Sequence, residues 1–167
     1  KHSQLTLGKG AFRIALAANQ KFGDSRPIYI VPVGLEYGDY FRYRSTSLIN
    51  FGEAINVTEM VKELNLDNEA QVIDHLRKEL TARMSKLITY MEYDDNYAPK
   101  WTLTKVRALG FKGSLYEKMM NNRSIVADIE KAYEEKPEEM QELFAKVNAF
   151  EKERRKKGVS IYSFGKK

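Results

Sequence analysis

The chain has 167 residues, 43% hydrophobic and 31% charged, with a net charge of +5. That length suits one domain with a core, and the modest basicity fits phosphate-bearing substrates, anionic membranes or nucleic acid without choosing among them. The absence of cysteine excludes disulfides, thiol catalysis and cysteine-held metal, and no apolar run reaches the ~18 residues of a transmembrane helix.

The sequence opens on Lys1, with neither methionine nor a leader-like segment, and we expect a fragment of a longer protein. Residues 1–6 are polar and predict a loop, with His2 exposed. Gly8-Lys9-Gly10 then opens a helix through Phe22. Phe12, Ala15, Leu16 and Phe22 fall near one face at spacings of three and four, and Gly23 stands where a left-handed terminal residue would end the helix. Lys9 beside these amides could reach a phosphate.

After a turn over residues 24–27, residues 28–35 are almost continuously apolar, which predicts a strand buried on both faces, as in α/β domains. Pro32 interrupts it. Proline cannot donate to a ladder, so it belongs at an edge, a bulge or a strand end. Residues 36–44 carry four aromatics with Arg42 and Arg44; they fit a base-stacking platform, a membrane interface or a surface loop.

Residues 47–52 predict a short strand ending in a glycine turn. Thr58 is a candidate N-cap for a helix through Leu64, and Asp67 or Asn68 for the next. In that next helix Val72, Leu76, Leu80 and Met84 recur every fourth residue, widened by Ile73, Leu87, Ile88 and Met91, which marks a core-facing stripe with His75 on its flank.

Residues 93–99 form a polar break; Asp94 and Asp95 lack a third ligand at metal-binding spacing and read as loop. Beyond it the pattern is helical. Ser114 and Ser124 are candidate caps of short helices, and Pro137 suits a first turn with Glu138 and Glu139 at its positive end. Met140, Leu143, Phe144, Val147 and Phe150 supply an apolar stripe. The basic run of residues 152–157 either complements the helix dipole or attracts anionic headgroups, and Gly158 stops the helix. Residues 159–164 predict a short strand or extended link.

In combination, Lys9-Gly10-Ala11-Phe12, Ile30-Val31-Pro32-Val33-Gly34-Leu35 and Phe51-Gly52-Glu53-Ala54-Ile55-Asn56-Val57 resemble, in order and spacing, successive motifs of the glycerolipid acyltransferase family, which includes lysophosphatidic acid acyltransferases. In that family a lysine- and glycine-led helix is followed by a strand of the type Val-Pro-Val. The resemblance covers about residues 5–90. It implies an α/β fold, with residues 1–92 as the C-terminal portion of an acyltransferase domain and residues 93–167 as a mostly helical extension. Lys9 departs from the family's usual spacing, because Gly8 stands two positions before Gly10.

The family's chemistry resembles general-base catalysis by a histidine five positions before an aspartate. Here Leu7 stands five positions after His2 and Leu80 five after His75, so no catalytic residue is assigned and the isolated chain is expected to be inactive. What the resemblance implies is a parent O-acyltransferase that moves a fatty acyl group from an acyl-CoA or acyl-carrier-protein thioester to a lysophosphatidate-like acceptor. No metal or prosthetic group is implied. Lys9, Gly10, Val31, Pro32, Arg42 and Arg44 are the substrate-binding candidates. The expected partners are the two substrates, a membrane surface and the missing N-terminal part of the same domain, with no nucleic acid, at the cytoplasmic face of a membrane. The alternative is a basic, non-enzymatic module that binds anionic membrane or nucleic acid through Arg42, Arg44 and residues 152–157.

Overall fold

The structure is a computed structural model that describes residues 2–3, 6–23, 25–39, 43–64 and 68–165. Among these residues six α-helices accompany two two-stranded sheets, so the chain is mixed and rich in helix. The order is α1 (Gly10–Phe22), β1 (Tyr29–Ile30), β2 (Val33–Tyr37), β3 (Ser47–Phe51), β4 (Ile55–Asn56), α2 (Val57–Leu64), α3 (Glu69–Ser85), α4 (Tyr97–Arg107), α5 (Leu115–Glu135) and α6 (Pro137–Lys156). A 3₁₀ turn, Ile161–Gly165, follows where the sequence predicted a strand or extended link. The chain divides into two compact units: Gln4–Glu36 with Ser47–Ile88, and Lys1–Ser3 with Tyr37–Thr46 and Thr89–Lys167.

The core of the first unit is built from stripes visible in the sequence. Phe12, Ala15 and Leu16 of α1 meet Val72, Ile73, Leu76 and Leu80 of α3, with Ile55 and Val57 between them. Full burial of each larger side chain stabilises by roughly 1.5–3 kcal/mol. Phe22 is 45% exposed, because it occupies the last helical residue, beyond the packed turns. Gly23 is right-handed, at φ −57°, and not the left-handed terminator predicted. A glycine is still required there, since a Cβ would lie 2.5 Å from the Asn19 carbonyl oxygen.

Three capping details set the helix starts. The Asn56 side chain accepts from the Glu59 amide at 3.2 Å, which makes Asn56, not Thr58, the cap of α2. Thr58 instead donates to Asn19 Oδ1 at 2.6 Å and accepts from the Ile28 amide at 3.0 Å, tying α1, α2 and the approach to β1 together. Asn68 caps α3 by accepting from the Ala70 amide at 2.9 Å.

The apolar run of residues 28–35 is not one strand buried on both faces. β1 pairs antiparallel with β4, placing Tyr29 opposite Asn56 and Ile30 opposite Ile55, whereas β2 pairs with β3. The chain changes ladder at Val31-Pro32, and β2 alternates between exposed and buried residues. Proline ends the first ladder by lacking a donor, and its carbonyl starts the second by accepting the Gly52 amide hydrogen at 2.9 Å.

In the second unit α4, α5 and α6 pack on one another around Ile125, Ile129, Met140 and Phe144. Ser114 caps one long helix through a capping box with Glu117, and Ser124 lies inside that helix instead of starting another. Pro137 occupies the first turn of α6 and Gly158, at φ +64°, follows its end. His2 is half-buried, contrary to the exposed loop residue predicted. Its amide donates to the Tyr97 hydroxyl at 2.8 Å, its carbonyl accepts from the Met91 amide at 2.7 Å, and its ring lies 4.0 Å from that of Trp101.

Candidate functional site

Val31 and Pro32, two of the binding candidates, stand where the chain changes ladder. Val31 is 50% exposed while the next residue, Pro32, is fully buried. Behind Pro32 the packing is tight. A Cβ on Gly52 would stand 2.9 Å from the proline Cγ, and one on Gly34 would stand 2.6 Å from Leu87 Cβ and 2.7 Å from Leu87 O. The Asn50 side chain also donates to Leu87 O at 2.8 Å. One face of the β2–β3 pair therefore lies against the residues that follow α3.

The other face is open. The Pro32–Gly52 and Gly38–Thr46 backbone bonds fix one antiparallel register, which puts Val33 across from Phe51 and Leu35 across from Ile49. These four side chains share the face and are 36%, 73%, 49% and 53% exposed, in that order. Four apolar side chains thus stand together in solvent on one face of a two-stranded sheet.

Lys9 and Gly10 stand at the start of α1. Both are exposed, and the space around Gly10 is open. The Lys9 ammonium has no hydrogen-bond or ion-pair partner among the described residues. Val31 and Pro32 belong to the same unit as Lys9 and Gly10. Arg44 belongs to the other unit, adopts φ +58°, and lays its guanidinium 5.5 Å from the centre of the Tyr43 ring. Arg42 lies outside the described residues.

Two charged clusters in the helical unit escaped the sequence reading. Lys100, with a side chain 3% exposed, donates to Asp94 Oδ2 at 2.8 Å and to both Glu130 oxygens at 2.9 Å, with the Tyr133 ring 5.5 Å away. Burial pulls its pKa down, but the hydrogen bonds and charges of Asp94 and Glu130 outweigh that and hold it above 10.5. An ammonium so held stays protonated, so it serves neither as base nor as imine-forming amine; it locks α4 to α5. The only sequence signal was spacing: Lys100, Leu103 and Thr104 share one helical face, so a lysine sits at a core position.

The second cluster centres on Glu151. Arg154 meets it through two bonds of 2.7 Å and Arg155 through one of 2.8 Å, while a further Arg154 nitrogen donates to the Val159 carbonyl. The Arg154 bonds lower the Glu151 pKa to about 2 against the opposing effect of burial, with help from Arg155. Nearby Lys105, over the Trp101 ring, is lowered by burial, an effect partly offset by Glu151 and reinforced by Arg154 and Arg155.

Between α4 and α6 runs an apolar groove of about 270 Å³, lined by Thr102, Leu103, Val106, Lys146, Val147 and Phe150. Among the described residues no group of three or more His, Cys, Asp or Glu could hold a metal ion, and no helix is long and apolar enough to cross a membrane. Comparison with family models, with curated proteins and with solved structures finds no match.

Proposed function

We propose that the chain is the C-terminal part of a glycerolipid acyltransferase-type αβ domain followed by a helical extension. Its parent protein transfers a fatty acyl group from an acyl-CoA or acyl-carrier-protein thioester to a 1-acylglycerol-3-phosphate-like acceptor in phospholipid synthesis. The acceptor hydroxyl attacks the thioester carbonyl, the C–S bond breaks, and the hydroxyl proton passes through a base to the departing thiolate, which leaves as the thiol. That base lies outside this chain. In this reading Lys9 and Gly10 shape the phosphate end of the acceptor site, and Val31 and Pro32 form the wall beside the reacting groups. The work takes place at the cytoplasmic face of a membrane, through anchoring parts outside this chain.

The resemblance in motif order is the source of this reading. The observation in the structure that supports it is the open apolar face of β2–β3 beside the buried Pro32. A face of this kind fits a sheet that is continued or covered by the N-terminal part of the same domain. The test is acyl transfer by the full-length protein carrying Lys9→Ala or Val31→Glu. The first should raise KM for lysophosphatidate several-fold with little change in kcat, and the second should abolish turnover while leaving α1 and α3 folded. Wild-type kinetics in both variants would contradict the assignment.

A further inference from the structure

The carboxyl end of α6 presents cations and exposed aromatic rings together. Between Lys146 and Lys157 there are six cations and two carboxylates, and one of those carboxylates, Glu151, is consumed by Arg154 and Arg155. Lys146, Phe150 and Lys157 lie three, seven and fourteen positions after Leu143, which puts all four on one helical stripe. Leu143 is 36% and Phe150 40% exposed, both lysines are exposed, and Glu153 lies at the edge of the same stripe.

The 3₁₀ turn after α6 enlarges this surface. Residues three apart eclipse in a 3₁₀ turn, so burial of Ile161 anchors the side from which Phe164 projects. The Phe164 ring lies 5.8 Å from that of Phe150 and is 59% exposed. Across the groove, α4 adds Val106, 38% exposed. Val106, Leu143, Phe150 and Phe164 thus form an apolar strip, with Lys146 between Leu143 and Phe150 along α6 and Lys157 beyond Phe150.

We propose that this strip is a docking surface for an anionic lipid bilayer, with Phe150 and Phe164 seated among the acyl chains and Lys146 and Lys157 on the headgroups. Charge complementarity argues for an anionic partner, and the exposed aromatic and aliphatic side chains beside the lysines argue for a lipid one. A nucleic acid would leave Val106 and Leu143 in water, because phosphate and base stacking offer nothing to aliphatic side chains. The proposal is independent of acyl transfer: it concerns only where a bilayer is met.

The test is co-sedimentation of the chain with vesicles of phosphatidylcholine, with and without phosphatidylglycerol, at low and high salt. Binding should require phosphatidylglycerol and weaken with salt. Lys146→Gln and Lys157→Gln should each weaken it about fivefold. Phe164→Ser should weaken it comparably and leave the helical circular dichroism unchanged. Lys152→Gln, on the opposite side of α6, should change it by less than about twofold. Equal losses from Lys152→Gln and Lys157→Gln, or an indifferent Phe164→Ser, would overturn the docking surface. Tighter binding to a single-stranded oligonucleotide than to anionic vesicles, unaffected by Phe164→Ser, would overturn it in favour of a nucleic-acid partner.

Discussion

The Pro32 carbonyl accepts the amide hydrogen of Gly52 at 2.9 Å, and the same glycine leaves no room for a side chain against the proline ring. One contact thereby sets where the apolar run changes ladder and how closely β3 approaches it. Gly52→Ala places a methyl 2.9 Å from Pro32 Cγ and 3.0 Å from Leu87 Cδ1, so urea unfolding should show a loss of about 1–3 kcal/mol. Gly34→Ala should cost more, because its obstacle includes the Leu87 carbonyl oxygen at 2.7 Å, which cannot rotate away. Unchanged midpoints in both variants would refute this packing.

Lys100→Met should destabilise the helical unit. It leaves Asp94 and Glu130, each 36% exposed, facing one another without their cation. Partial hydration of the two carboxylates limits the cost to about 1–3 kcal/mol. Adding Glu130→Gln removes one of the two like charges and should recover part of the loss, which a double-mutant cycle measures. The intact lock has its own pH signature. Lys100 titrates above 10.5, so its contribution is complete below 10.5 and is lost as the pH rises through the higher folded value.

Glu151 gives the opposite dependence at acid pH. Its pKa is lowered from 4.5 to about 2, so its contribution is complete above 4.5, declines as the pH falls, and is gone below about 2. Glu151→Gln should reduce stability by roughly 1–2 kcal/mol at neutral pH, a modest value because Arg155 is 74% exposed and solvent-screened. It should also flatten the melting temperature between pH 4.5 and about 2 relative to the wild-type protein. Parallel acid profiles for the two proteins would contradict the assignment.

The helical core was legible because amphipathic periodicity is local. Val72, Leu76 and Leu80 announce α3 at four-residue spacing, and the same rule locates Met140 and Phe144. A cap was legible where no polar neighbour competed for the same helix start, as at Ser114, and was narrowed only to Asp67 or Asn68 at the start of α3. It was not legible where two polar residues stood close together and tertiary bonding decided, as at Asn56 and Thr58. The split of residues 28–35 between two sheets depends on partners that are distant in sequence, and hydrophobicity cannot report partner choice. The Lys100 and Glu130 pairing is hidden for the same reason: spacing puts Lys100 on a core face, but nothing local names a partner thirty residues away.

The proposed acyl transfer is tested most directly with the full-length protein encoded by the gene that contains this chain, supplied with lysophosphatidate and either a long-chain acyl-CoA or an acyl-carrier-protein thioester. The account predicts phosphatidate from the full-length protein with at least one donor, and none from residues 1–167 alone. No phosphatidate from the folded full-length protein with either donor would contradict it.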